Sequence, residues 1–147
     1  MLIIHHIIIT SSITFLFFLN GWWGIDEAFI FFVGGLFVDV DHMWSYWYYQ
    51  KRFCIQYNTI KNWCLRIGSH MEHFFILHTV WFALALYFLI PVHSYTVFLL
   101  RGVLLHYVLD IIHDAYWYFV LKKNIRPYRR WVAPISFLKK CGLERYL

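Results

Sequence analysis

Residues 102–114, GVLLHYVLDIIHD, place two histidines and two acids in an apolar setting. It lies inside an apolar run, residues 95–121, that is long enough to cross a bilayer as a helix. On a helix, His106, Asp110 and His113 share one face. Ionisable groups at membrane depth are costly and mark functional sites. The stretch therefore predicts a membrane-spanning helix that carries metal ligands.

The composition places the rest of the chain in lipid as well. Of its 147 residues, 61% are hydrophobic and 14% are charged, whereas globular domains carry about 25% charged residues. Such a chain could not cover its surface with polar groups in water. The formal charge of +5 comes without a basic patch of interleaved, base-stacking aromatics, so we expect no nucleic-acid partner.

Hydropathy predicts an all-α integral membrane protein with four transmembrane helices in one domain, residues 1–121, followed by a basic cytoplasmic tail, residues 122–147. The four predicted spans are residues 2–19, 28–49, 73–92 and 95–121. The second span is long enough only if it contains Asp39, Asp41 and His42. It ends in a dense aromatic belt of the kind found at membrane interfaces.

The distribution of Lys and Arg predicts the orientation. Of the 13 basic residues, four lie in the connector 51–72 and eight in the tail, and only Arg101 lies elsewhere. Cytoplasmic loops carry an excess of Lys and Arg, so both termini should face the cytoplasm. Arg101 lies near the outer end of the fourth span and can extend its side chain to the interface.

This topology brings His and Asp residues from all four spans to one depth, in the cytoplasmic half of the membrane. The predicted metal ligands are His6, Asp39, Asp41, His42, His78, His106 and Asp110. A mixed imidazole and carboxylate set favours a divalent transition metal, with zinc expected first and Mn or Fe as alternatives. The set is larger than one tetrahedral ion needs. Either some members orient the others, or two ions lie about 3.5–4 Å apart.

Polar residues in membrane helices also have roles that need no metal. Their side chains hydrogen-bond helices to one another. Asp39 and Asp41 would also be tolerated at a helix end in the headgroup layer. The sequence alone leaves both of these roles open.

Three stretches occur in a recognisable order after a first-span histidine, His5 or His6. They are GGLFVDVDH at 34–42, HFFILHT at 73–79 and GVLLHYVLD at 102–110. In this order they resemble the motifs of the predicted membrane-bound metal-dependent hydrolases, the LexA-regulated inner-membrane family. Those motifs are G-x-L-x-P-D-I-D-H, H-R-G-x-T-H-S and G-x-x-x-H-x-x-x-D.

The chain departs from the family pattern at several positions. Val38 stands where the family has proline, and Phe74 and Phe75 replace its Arg-Gly pair. The resemblance implies a small helical metal-dependent hydrolase of the bacterial inner membrane.

These observations predict a membrane-embedded hydrolase that acts on a lipid-linked ester, with a phosphoester expected first. A bound metal lowers the pKa of its water to about 7 and so supplies a nucleophile at neutral pH. We expect Asp39 or Asp114 to accept the proton and His73 to protonate the leaving group. The substrate should be a membrane lipid or a lipid-linked molecule, because the site is buried among helices.

Two further classes of function remain as alternatives. Intramembrane His and Asp residues also build metal-ion or proton transporters, and a chain of this size would then act as a homo-oligomer. A non-catalytic metal- or haem-binding membrane subunit could use His78 and His106 as axial ligands.

Overall fold

The computed structural model describes residues 3–53, 56, 59 and 76–119, without the side chains of residues 3, 45, 49, 114, 117 and 118. The described elements are α1 (Ile3–Leu19), α2 (Ile25–Phe37), α3 (Val40–Gln50), a 3-10 turn (Ile76–His78), α4 (Val80–Leu89) and α5 (Thr96–Phe119). All of them are helical, which confirms the predicted all-α class. The predicted domain boundary at residue 121 and the basic tail lie outside the described residues.

Local sequence explains the turn between α1 and α2. α1 ends at Leu19, where Gly21 adopts a left-handed φ of 68°. Glycine takes this conformation without steric strain and commonly ends helices. α2 begins after Gly24, whose N–H donates to the Glu27 carboxylate at 2.8 Å. This short connection folds α2 back against α1.

Glycines allow α1, α2 and α5 to pack closely. A Cβ atom on Gly102 of α5 would clash with the α2 backbone around Gly34 and Gly35. A Cβ atom on Gly34 would clash with the backbone of Leu99, and one on Gly35 with the side chain of Thr10 in α1. Small residues of this kind let membrane helices approach at backbone distance. These glycines allow α2 to contact both α1 and α5.

Two segments are long and apolar enough to cross a membrane, Ile25–Tyr48 and Thr96–His113. The other described helices in the predicted spans are shorter, with 17 residues in α1 and 10 in α4. A helix needs about 20 apolar residues to cross the hydrocarbon core. Two candidate spans are therefore observed, and four spans remain a prediction.

The second predicted span is interrupted. Val38 and Asp39 form a turn that separates α2 from α3. The N–H of Asp39 donates to the carbonyl of Leu36 at 3.1 Å, three residues back, and not to Gly35 four residues back. Because the last carbonyls of a helix lack intrahelical partners, the interruption leaves the Gly35 carbonyl available to another helix.

The described part of the chain exposes many large apolar side chains, and it buries polar residues beside a hydrophobic core. Large apolar side chains at least 59% exposed occur on α1, α2, α3, α4 and α5, for example Phe15, Phe29, Trp44, Phe88 and Ile112. Buried polar residues are His6, Thr10, Asp39, His78, Thr79, His106 and Asp110. Water-soluble proteins rarely bury such residues without pairing them. The exposed apolar surface is compatible with a lipid environment.

Candidate metal centre

Histidine and aspartate side chains from several elements meet in one place. We call this set the His/Asp cluster: His6 from α1, Asp39 and His42 from the start of α3, His78 from the 3-10 turn, and His106 and Asp110 from α5. Three overlapping groups in it have ligand atoms within 4.8 Å of one another: His6, Asp39 and His106; Asp39, His42 and His78; and His78, His106 and Asp110. Every predicted ligand except Asp41 belongs to the cluster.

The tightest part of the cluster is a triangle formed by His78, His106 and Asp110. The two Nε2 atoms lie 3.3 Å apart. Asp110 Oδ2 lies 3.6 Å from Nε2 of His78 and 3.5 Å from Nε2 of His106. A tetrahedral zinc ion with bonds of about 2.0–2.1 Å holds its ligand atoms about 3.3–3.4 Å apart. The triangle is therefore close to the size that three ligands of one such ion would have.

Hydrogen bonds at the opposite side of each ring point both Nε2 atoms into the triangle as acceptors. Nδ1 of His106 lies 2.8 Å from the Gly35 carbonyl, which can only accept, so Nδ1 carries the proton. Nδ1 of His78 lies 3.4 Å from Oδ2 of Asp41, which as a carboxylate also accepts. In a neutral imidazole the other nitrogen then bears a lone pair. Metal-binding histidines usually have such a carbonyl or carboxylate partner.

This arrangement favours a positive charge between the acceptors, carried either by a proton on one imidazole or by a metal ion. Two lone pairs and a carboxylate oxygen face one another, and Oδ1 of Asp39 adds a fourth acceptor 3.8 Å from Nε2 of His106. The exposed fractions of His78, His106 and Asp110 are only 2%, 0% and 4%. Water therefore screens their mutual repulsion poorly, and a buried charge needs a compensating partner. The His/Asp cluster could hold a metal ion at this position.

Asp41 lies beside the cluster and contacts it through His78. Its Oδ2 atom accepts from the N–H of Leu77 at 2.5 Å and lies 3.4 Å from Nδ1 of His78. The sequence predicts Asp41 as a metal ligand. In the described geometry, Asp41 lies outside the three groups of potential ligands, where it holds the 3-10 turn and orients the His78 ring; its role as a ligand stays a prediction.

His6 contacts the far side of the triangle. Its Nε2 lies 3.2 Å from Oδ1 of Asp110, and its ring stacks on that of His106 with centroids 3.9 Å apart and an angle of 14°. His6 thus engages one oxygen of Asp110 while the other faces the triangle. The family motifs leave a choice between His5 and His6, and the structure buries His6 and exposes His5.

The remaining candidates lie outside the described cluster. His113, on the same predicted helix face as His106, belongs to none of the three groups of potential ligands among the described residues. The side chain of Asp114 and the whole of His73 lie outside the described residues. Their predicted roles in proton transfer remain predictions.

Tyr107 is a site residue that the sequence motifs do not indicate. Its hydroxyl lies 2.5 Å from the carbonyl of Leu77 and 2.9 Å from that of Thr79, which flank His78 in the chain. Tyr107 is 6% exposed. A buried tyrosine hydroxyl normally needs a hydrogen-bond partner, so a tyrosine next to His106 in an apolar helix was the available signal. Tyr107 of α5 and Asp41 of α3 together fix the position of His78.

Replacement of Tyr107 by phenylalanine is expected to lower the free energy of unfolding by about 1–3 kcal/mol, because the carbonyls of Leu77 and Thr79 would lose the single O–H donor that they share. Unfolding in detergent measures this effect. The matched control is Tyr87→Phe, since Tyr87 is 60% exposed and its change should stay within about 0.5 kcal/mol. Equal effects of the two substitutions would contradict the role assigned to Tyr107.

Comparisons with protein families, with curated proteins and with solved structures give no match for this chain.

Proposed function

We propose that the protein is a membrane-embedded hydrolase that uses a divalent transition metal, zinc in the first instance, to hydrolyse a lipid-linked phosphoester. One observation carries the proposal: the acceptor atoms of His78, His106 and Asp110 converge at 3.3–3.6 Å in a buried site. The resemblance to the predicted metal-dependent membrane hydrolases supports the same reaction class. The proposed location is the inner membrane, with four spans and both termini in the cytoplasm.

Three protein ligands are what a catalytic zinc site requires, because the fourth position must stay open for water. His78, His106 and Asp110 would supply these ligands. When bound, the metal lowers the pKa of its water to about 7. The Gly35 carbonyl and the Asp41 carboxylate hold the two imidazoles in the tautomer that binds metal.

Asp39 closes the side of the site next to His106. Its Oδ1 atom lies 3.8 Å from Nε2 of His106, and its side chain is 8% exposed. At this position the carboxylate can ligate a metal ion or accept a proton from bound water. Both roles are compatible with its place among the predicted ligands.

The surroundings of the site favour a substrate that is already in the membrane. The outer surfaces of α1, α2 and α5 are apolar, with Phe15, Phe29 and Ile112 all exposed. A water-soluble substrate would have to leave water to reach a cluster this deeply buried. The basic connector and tail in the sequence would attract an anionic headgroup. These features support a lipid-linked phosphoester.

The proposal is tested by hydrolysis in detergent. The purified protein is incubated with phospholipids and lipid-linked phosphoesters, and the released headgroup is measured. Activity should disappear on chelation, return on addition of Zn²⁺ or Mn²⁺, and fall at least about 100-fold in Asp110→Asn, since even outer partners of metal ligands contribute 10–100-fold. The control is His93→Ala, at an exposed turn residue. Turnover that survives both chelation and Asp110→Asn would contradict the proposal.

A further inference from the structure

We propose that the cluster holds a second divalent metal ion, bound by Asp39 and His42, next to the ion bound by His78, His106 and Asp110. Asp39 would be shared between the two ions. This inference rests on the proposed function, since it adds an ion to the same site. It also assigns a role to the two cluster residues that lie beside the triangle on the α3 side.

Asp39, which precedes α3, and His42, in the first turn of α3, form a second pair of potential ligands. Nε2 of His42 lies 3.6 Å from Oδ1 of Asp39. The same oxygen lies 3.8 Å from Nε2 of His106. Potential ligand atoms of Asp39, His42 and His78 all lie within 4.8 Å of one another. Asp39 therefore lies between a triangle corner and an additional imidazole, where a bridging carboxylate would lie.

The second oxygen of Asp39 provides an independent observation. Asp39 is 6% exposed, and its Oδ2 atom is buried with no hydrogen-bond partner among the described residues. A buried carboxylate oxygen without a donor is costly, and bound metal ions satisfy such oxygens. A metal ion bound by both oxygens of Asp39 would satisfy Oδ2, while Oδ1 lies between His42 and His106.

The number of ligands exceeds what one ion can use. The His/Asp cluster contains six side chains with potential ligand atoms, whereas zinc in proteins usually binds four ligands, one of them water at a catalytic site. Paired catalytic ions lie about 3.5–4 Å apart and share ligands. The 3.8 Å between His106 Nε2 and Asp39 Oδ1 shows that the two groups of ligands adjoin each other.

Charge links the second ion to the class of substrate. Asp39, Asp41 and Asp110 bring three negative charges when ionised. One divalent ion would leave the site at −1, since 2 − 3 = −1, and two would leave it at +1, since 4 − 3 = +1. Only the second value attracts an anion. Two-metal sites stabilise both the attacking and the leaving oxygen of a phosphoester, so two ions would deepen the proposed preference for phosphoesters.

The test is the number of metal ions per chain. Protein purified in detergent is stripped with a chelator, reloaded with Mn²⁺, freed of excess metal and analysed for its elements. We expect two Mn²⁺ ions per chain in the wild type, one in His42→Ala and two in the control His93→Ala. One ion per chain in the wild type would overturn the second site and leave the hydrolase proposal intact, whereas no bound ion would overturn both.

Electron paramagnetic resonance of the Mn²⁺-loaded wild type tests for a second ion even if a variant fails to fold. Two Mn²⁺ ions about 3.5–4 Å apart are magnetically coupled and give a spectrum unlike that of isolated ions. We expect the coupled spectrum in the wild type and in His93→Ala, and the isolated-ion spectrum in a folded His42→Ala. An isolated-ion spectrum from the wild type would overturn the inference whether or not His42→Ala folds.

Discussion

Replacement of His106 by alanine is expected to abolish metal binding at the proposed site in the triangle. The substitution deletes one of the three converging acceptors and also the ring on which His6 stacks. It leaves the Gly35 carbonyl without its donor. Loss of an outer partner of a metal ligand already weakens binding by about 10–100-fold, so loss of the ligand itself should exceed that range.

Elemental analysis of detergent-purified protein measures the effect, and Asp41→Ala gives a graded comparison. Among the described contacts, Asp41 meets the triangle at Nδ1 of His78, so its loss should weaken metal binding by about 10–100-fold without abolishing it. His93→Ala should retain the full metal content. An unchanged metal content in His106→Ala would show that the triangle is not a metal site.

Replacement of Gly102 by leucine is expected to destabilise the fold and empty the site at the same time. Even a Cβ atom at this position would clash with the backbone of α2 around Gly34 and Gly35. Backbone cannot yield as a flexible side chain can, so the cost should exceed the about 1–3 kcal/mol typical of overpacking. Gly102 lies one turn before His106. Separating α5 from α2 would therefore also break the bond from His106 to the Gly35 carbonyl.

This prediction is tested by measuring the free energy of unfolding in detergent and the metal content of the purified protein. The matched control is Gly24→Ala, where a Cβ atom would meet only the Glu27 carboxylate at 3.8 Å, an ordinary contact. A change at this helix start should cost less than about 1 kcal/mol. A Gly102→Leu protein with wild-type stability would show that the close approach of α2 and α5 is not needed.

Most of the cluster could be predicted from the sequence. His106 and Asp110 share a face of a helix because they are four residues apart, and the structure confirms that they meet. Placing Asp39, His42 and His78 in apolar segments is energetically costly. The sequence therefore predicted that these residues would have polar neighbours. Charge and hydropathy are properties of the residues themselves, so these predictions did not depend on tertiary contacts.

The turn between α2 and α3 could not be predicted from the local sequence. Val38 and Asp39 include neither the proline nor the glycine that usually marks such an interruption, and Val38 stands where the resembled family has proline. The helix gives up backbone hydrogen bonds there. The compensating contacts, from Asp39 to His106 and from His106 to Gly35, come from a segment more than sixty residues away in the chain.

The third predicted span also shows what hydropathy cannot resolve. Residues 76–92 are almost uniformly apolar, so a hydropathy window reads them as one continuous element. The structure begins α4 only after Thr79, whose hydroxyl accepts from the N–H of Phe82 at 3.3 Å. The preceding residues form the 3-10 turn, which is held by Asp41 and Tyr107. Capping and tertiary hydrogen bonds place His78 outside the helix that hydropathy predicts.

The bond from His106 to Gly35 also limits how protons can travel through this protein. A histidine passes a proton onward by taking it up at one nitrogen and releasing the other nitrogen's proton to a base. Nδ1 of His106 points at a peptide oxygen 2.8 Å away, and a peptide oxygen is too weak a base to receive that proton. A chain of proton-transfer groups along α5 would be interrupted at the His106 ring. This disfavours proton transport through His106.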